Sequence, residues 1–228
     1  MVNATRENEK EIAARASLGF VRDGDIVGLG SGTTATYAVR FLAELLRSGL
    51  MFRGIPTSEQ TRALAESLGI PLITFDIANS IDVTIDGADE VDPQLRLIKG
   101  RGGALLHEKV VASASKRLVI VVDSTKLVSV LGAAALPVEV IAFAEPVVKA
   151  RIERLGASVQ RREAGGAPYV TDEGHHILDC SFGRIDDPGA VARTLSETPG
   201  VVGHGLFINM ADVVLVGRED RVDELRRA

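Results

Sequence analysis

Apolar and polar positions along the chain follow two periods in turn, and their alternation sets the expected architecture. Residues 5–22 carry Ile12, Ala13, Ala16 and Phe20 at helical spacing before Asp23-Gly24 stops the run, which predicts a first helix. DIVGLG, residues 25–30, is a short apolar strand. TATYAVRFLAELLRSG after it keeps a 3.6-residue period up to Gly49, a glycine placed to end a helix. The sequence then repeats itself in kind: strand MFRGIP, helix SEQTRALAESLG, strands near LITF and IDVTID, a helix from Ala104 to Lys116, and the apolar strand RLVIVVD ending at Asp123. Such alternation predicts an α/β fold with a Rossmann-like, mostly parallel sheet and helices on both faces.

After Leu131 the pattern changes. LPVEVIAF, a helix over EPVVKARIERLG, SVQRREA, an Asp-Glu-Gly turn between the alternating runs of APYVTDEGHHILDCSFG, and a helix over DPGAVARTLSET predict a smaller α+β domain with antiparallel pairing. ADVVLVG is apolar throughout, like the strands of the first half, so the chain is expected to return there to the main sheet. The expected domains are a main α/β domain of residues 1–131 and 205–228, and a small α+β domain of residues 132–204 inserted before the last strand.

Composition narrows the possible partners. With 46% apolar and 25% charged residues over 228 positions, the chain can bury a large core. Its formal net charge of −5, with no basic stretch interleaved with aromatics, argues against nucleic acid. No window of about 18 residues is apolar and uncharged, which argues against a membrane span. MVNATRENEKE is too polar for a secretory signal, so the cytoplasm is the expected compartment. Cys180 is the single cysteine, which excludes an internal disulfide, and its neighbours carry no nucleophile signature.

Four blocks carry chemical potential, and three of them, GLGSGTT, DGADE and DSTK, fall directly after strands, where open α/β sheets place ligands. In GLGSGTT, turn amides opening a helix form an anion site, to which Ser31, Thr33 and Thr34 around Gly32 add hydroxyls. A plain helix cap is the competing reading. Gly30, Gly32 and Ala35 match a dinucleotide spacing, but no acidic residue ends the next strand, and no G-K-[ST] follows for a nucleotide P-loop. DGADEVD crowds Asp86, Asp89, Glu90 and Asp92 after a strand, which suits acid–base chemistry or a divalent metal. The spacing is not that of a calcium loop, and His107, His175, His176 and His204 form no ligand pair. In IKGRGGALLHEK, Lys99 and Glu108 supply a cation and a base, and in DSTK, Lys126 lies just beyond a strand end. The inventory fits one small anionic ligand such as a sugar phosphate.

In this order and at these intervals, GLGSGTTA, DGADEVD, KGRGGALLHEK and DSTKLV resemble the type A family of ribose-5-phosphate isomerases. TDEGHHILDCSFG and PGVVGHGLFINMADVVLVG resemble the C-terminal half of the same family, so the likeness covers nearly the whole chain. The resemblance implies interconversion of ribose 5-phosphate and ribulose 5-phosphate in the non-oxidative pentose phosphate pathway, with no cofactor and no metal. It implies a homodimer or dimer of dimers; residues 132–204 are poor in catalytic groups, so the larger domain is expected to be catalytic and the smaller one to serve assembly. The family's base falls on Glu108, and Asp86 and Lys99 join it as candidate catalytic groups. The substrate-contacting segments fall on Ser31, Gly32, Thr33 and Thr34, on Asp86, Gly87, Ala88 and Asp89, on Lys99, Gly100, Arg101 and Gly102, and on Lys126, with Lys10 of the first helix as a further phosphate ligand. GSGTT stands where GTGST is common, and Arg101 occupies a variable position. The alternatives are a sugar-phosphate-binding sensor and an enzyme of the related sugar-phosphate deaminase or coenzyme A transferase group.

Overall fold

In the computed structural model, which describes residues 2–227 and their side chains from Thr5 onward, the two hydrophobic periods become alternating helices and strands. The first half runs α1 (Val2–Ser17), β1 (Ile26–Leu29), α2 (Thr33–Arg47), β2 (Arg53–Pro56), α3 (Glu59–Ser67), β3 (Val83–Asp86), β4 (Glu90–Val91), β5 (Leu97–Ile98), α4 (Leu105–Ser113) and β6 (Leu118–Asp123). The chain continues through β7 (Leu136–Val140), α5 (Glu145–Glu153), β8 (Ser158–Arg161), β9 (Glu163–Ala164), β10 (Ala167–Pro168) and β11 (His176–Ser181). It closes with α6 (Pro188–Ser196), β12 (Val201–His204), β13 (Leu206–Phe207), β14 (Val213–Arg218) and β15 (Arg221–Arg226). These elements form two units, one of residues 1–88, 107–126 and 210–228, the other of residues 89–106 and 127–209.

The first unit holds a six-stranded sheet in the order β15-β14-β6-β3-β1-β2, parallel throughout except for β15 at the edge. Alternate residues of β1 decide its two faces. Val27 and Leu29 are buried with Ala13 of α1, Leu42 of α2 and Ala65 of α3. Ile26 packs on the opposite side with Ile55, Ile81 and Val111 of α4. Helices therefore cover both faces, as the alternation predicts. Each fully buried Val, Leu or Ile contributes ~1.5–3 kcal/mol. Helix α2 ends where the sequence placed its stop: Gly49 takes φ +105°, its N–H bonds Leu46 O at 3.1 Å, and Leu50 N–H bonds Leu45 O at 3.2 Å. This pairing satisfies the last carbonyls of the helix.

The second unit is built on an antiparallel sheet in the order β12-β7-β11-β8. Val138, Val140, Leu178 and Cys180 of that sheet are buried with Val148 and Ile152 of α5 and Leu195 of α6. Burial pushes the Cys180 thiol up to about 12, so it is a core residue with little thiolate character. A separate three-stranded sheet orders β13-β5-β4. β9 and β10 form a hairpin turned at Gly165-Gly166, both at positive φ.

Three expectations are corrected. LITF is not a strand; a single bridge joins Leu72 to Gly54, and Pro71 and Asp76 bound a run too short to pair further. ADVVLVG is not the last strand, since Arg221–Arg226 pairs with it along its length, and its charge-rich sequence suits an edge. Residues 89–106, 127–131 and 205–209, expected in the main domain, fall in the second unit, where β5 pairs with β13 at Leu97–Phe207 and Ile98–Leu206. Strands of two residues are too short to show a period.

Helix α1 approaches β14 so closely that a Cβ on Gly217 would stand 1.9 Å from the Glu9 carbonyl oxygen. No side-chain rotation relieves a backbone contact, so Gly217→Ala should lower the unfolding free energy by at least ~1–3 kcal/mol in urea. Gly19→Ala, where nothing lies within 4 Å, should stay within about 1 kcal/mol of wild type in the same measurement.

Candidate active site

In the first unit the polar residues gather where β1 and β3 end side by side. The chain leaves β1 for β2 on one side and reaches β3 on the other, so this is the point at which strand order reverses. Gly30 N–H bonds Ile85 O at 2.9 Å, and a Cβ at Gly30 would stand 2.4 Å from Asp86 Oδ1 and 2.5 Å from Asp86 Cα. Only glycine lets the two strand ends meet. Asp86 is fully buried, and its Oδ1 accepts from Ser31 N at 3.0 Å and from Gly87 N at 2.7 Å.

Ser31 Oγ lies 2.7 Å from Thr57 Oγ1, 2.8 Å from Ser58 Oγ and 3.2 Å from Thr61 Oγ1. Thr57, Ser58 and Thr61 went unnoticed in the sequence; the signal was TSEQT after a strand, which reads first as a helix cap, and Ser58 does cap α3 through Thr61 N. Gly32, at φ +90°, opens α2 with no side-chain cap. The amides of the first turn, from Thr33 on, therefore form the end of a 15-residue helix that can hold an anion.

Glu108 lies in the first turn of α4, 5% exposed. Beside it, burial pushes the Lys109 ammonium down to about 7. Lys126 ends a short helical turn after β6. That turn is tied at both sides: Asp123 Oδ1 accepts from Thr125 N at 3.0 Å, and Glu9 Oε2 accepts from Ser124 N at 2.9 Å and Ser124 Oγ at 2.7 Å. Lys10, one residue on, pairs with Glu7 at 2.6 Å. The Lys10 ammonium and the Tyr37 hydroxyl beside Glu7 hold its carboxyl below the usual range.

In the second unit the other three DGADEVD carboxylates, Asp89, Glu90 and Asp92, divide by task. Glu90 accepts from Gly132 N at 2.7 Å and from Ala134 N. Asp92 accepts from Gln94 N and Arg96 N, both at 2.9 Å, and pairs with the Arg96 guanidinium at 2.5 Å. Both are buried and occupied in holding loops. Asp89 accepts from Arg101 N at 3.0 Å and lines a cavity of about 440 Å³ with Arg101, Arg162 and Asp179. Lys99 is 2% exposed, bonds Gly205 O through its N–H at 2.8 Å, and has its ammonium 5.5 Å from the Phe207 ring. Gly100 and Gly103 take φ +98° and +92°, which shapes the turn after Lys99. The histidines are scattered: His175 pairs with Glu139, His176 with Glu145, and His204 with Ser196.

A parallel sheet with a glycine turn opening a helix and a buried carboxylate at its reversal point marks the class of open-sheet α/β protein that places ligands at such a point, and the helix N-terminus there suits an anion. The family model for ribose 5-phosphate isomerase A (phosphoriboisomerase A) matches residues 53–221. Ribose-5-phosphate isomerase A of Sphingopyxis alaskensis is 48% identical over 96% of each chain, and that of a Roseiflexus species 49% identical over 95% of this chain and 94% of its own. A solved D-ribose-5-phosphate isomerase in complex with phospho-erythronic acid superposes with a TM-score of 0.95 at 39% identity, covering 97% of this chain and 99% of that one. The Methanocaldococcus jannaschii enzyme gives 0.91 at 38% identity, covering 95% and 97%. The chain belongs to the ribose 5-phosphate isomerase A family.

The lowered value at Lys109 carries a pH signature. Near neutrality and below, the amine is charged folded and unfolded, and burying that charge costs stability; above the unfolded value of ~10.4 it is neutral in both states. The unfolded chain binds more protons in between, so this contribution rises with pH from about 7 to 10. Lys109→Met should lack that rise. Its stability advantage over wild type in urea titrations should shrink by more than ~1 kcal/mol between mildly acidic and alkaline buffer.

Proposed function

We propose that this chain interconverts D-ribose 5-phosphate and D-ribulose 5-phosphate through an enediolate, with Glu108 as the general base. The observation that carries the reading is 48% identity over 96% of each chain with a ribose-5-phosphate isomerase A. Moving the carbonyl from C1 to C2 removes the C2 proton, leaves its electron pair in an enediolate, and returns a proton to C1 while the O2 hydroxyl proton passes to O1. One carboxylate can serve both carbons, and the burial of Glu108 limits competition from water.

The remaining residues have roles that match their chemistry. Negative charge developing on the enediolate oxygens calls for donors fixed in advance, and the buried Lys99 ammonium and the amides of the Gly100–Gly102 turn are of that kind. Asp86 and Asp89 take sugar hydroxyls, with Asp86 assisting ring opening. The phosphate goes to the first-turn amides of α2 with the Ser31–Thr34 segment, Lys126 and Lys10 supplying charge. The same reading gives a cytoplasmic enzyme of the non-oxidative pentose phosphate pathway that works as a homodimer or dimer of dimers, its smaller unit serving assembly. No helix among the described residues is long and apolar enough to cross a membrane.

Purified protein in EDTA should convert ribose 5-phosphate to ribulose 5-phosphate, and Glu108→Gln should lower kcat by ~10²- to 10⁴-fold, the range of a positioned general base. Wild type that binds the sugar phosphate without converting it would instead be a sensor or an enzyme for another substrate. Phosphate-free ribose should be a poor substrate, with the loss in kcat as well as in KM, because remote binding energy fixes the reacting carbons. Comparable turnover of the two sugars would remove the phosphate role of α2.

A further inference from the structure

The turn after Lys99 is held from behind by a residue outside all the blocks that resemble the family's substrate segments. The Arg162 side chain is 14% exposed and paired in fork geometry with Asp179, Nε to Oδ2 at 2.9 Å and Nη2 to Oδ1 at 2.5 Å. Its Nη1 then donates to Gly100 O at 3.2 Å and to Arg101 O at 3.0 Å. The Tyr169 hydroxyl, whose ring lies 5.8 Å from the guanidinium, donates to the next carbonyl, Gly102 O, at 3.4 Å. Three successive carbonyls thus face one arginine and one tyrosine.

A trans peptide is planar, so fixing a carbonyl fixes the N–H that follows it in the opposite direction. The N–H after the Gly100 carbonyl belongs to Arg101 and goes to Asp89 Oδ2 at 3.0 Å. The N–H after the Gly102 carbonyl belongs to Gly103 and goes to Gly100 O at 3.0 Å. The N–H after the Arg101 carbonyl belongs to Gly102, and among the described residues no acceptor takes it. Gly103 cannot be replaced without disturbing this clamp, since a Cβ there would stand 2.2 Å from the Tyr169 hydroxyl.

We propose that Arg162, held by Asp179, is a positioning residue that aims the Gly102 amide as a donor to the developing oxyanion. The proposal rests on the isomerase reading above. In this role Arg162 acts through the turn, preventing the 101–102 peptide from rotating, so that the donor needs no reorganisation during the reaction. Lysine cannot replace it fully, because an ammonium lacks the planar fork that meets a carboxylate and two carbonyls at once.

The test compares wild type, Arg162→Ala and Arg162→Lys with ribose 5-phosphate, with inorganic phosphate and phospho-erythronic acid as inhibitors. Losing a donor of this type costs ~10²–10³ in kcat, and a misaimed one should cost about 10- to 100-fold in Arg162→Ala, with KM within about threefold. Phospho-erythronic acid carries a carboxylate where the enediolate forms, so its inhibition should weaken in parallel with kcat/KM, while that of inorganic phosphate stays unchanged. Millimolar guanidinium should restore part of the lost kcat, and Arg162→Lys should fall between the other two. A folded Arg162→Ala with kcat near wild type overturns the proposal, as does a kcat loss that leaves phospho-erythronic acid inhibition untouched. If Arg162→Ala does not fold, Arg162→Lys decides, and unchanged kcat in that variant overturns it. Wild type inactive on ribose 5-phosphate overturns both this proposal and the isomerase reading; active wild type with unaffected variants overturns this proposal alone.

Discussion

One buried carboxylate oxygen organises the first unit. Asp86 Oδ1 takes the Ser31 and Gly87 amides together, and so joins the ends of β1 and β3 where the strand order reverses. A fully buried carboxylate is costly unless it is bonded, and those two amides offset part of that cost at Oδ1. Gly30 follows from that bond, since no side chain fits between the strand ends. The start of α2 follows in turn, because Ser31 is held two residues before the helix begins.

Much of this was legible in the sequence, because the hydrophobic period reports which side of a layer a residue faces. β1, β6 and β14 are apolar runs, and all were placed within a residue or two. The failures lie where the period carries no signal: where pairing is very short, where a charge is buried, and where an edge strand is charge-rich, as in β15. β4, β5 and β13 each span two residues, so the step of residues 89–106 into the second unit left no trace in the pattern. On α1 the buried stripe includes Glu9, Ala13 and Ser17, two of which read as polar surface, while Ala16, expected inside, is exposed. Glu9 is buried because it caps the turn after β6, a bond more than a hundred residues away in sequence that no local spacing announces.

The acidic block shows how far residue type alone carries a functional argument. Four carboxylates in DGADEVD share a strand end, yet Glu90 and Asp92 are occupied by loop amides and an arginine. Their neighbours Asp86 and Asp89 also accept amides, from Ser31 and Gly87 in one unit and from Arg101 in the other, and these amides belong to the GLGSGTT, DGADE and KGRGG blocks themselves. Density of charge marks the region; the identity of the partner separates structural carboxylates from candidate catalytic ones. The same distinction applies to Arg162, whose sequence neighbourhood is featureless and whose partners are Asp179 and two main-chain carbonyls of the Lys99 turn.

The strand order also governs how the protein can be made. β6, buried along its whole length, pairs on one side with β3, which precedes it, and on the other with β14, which follows after about ninety residues. At ~5–20 residues per second, a ribosome leaves that edge of LVIVVD open for on the order of 5–20 s. An unpaired apolar strand edge is a template for association with other chains. The residues translated in that interval are mainly those of the second unit. Completion of the main sheet is therefore a late event in biosynthesis, and the chain's exposure to aggregation is set by the time taken to synthesise the insertion.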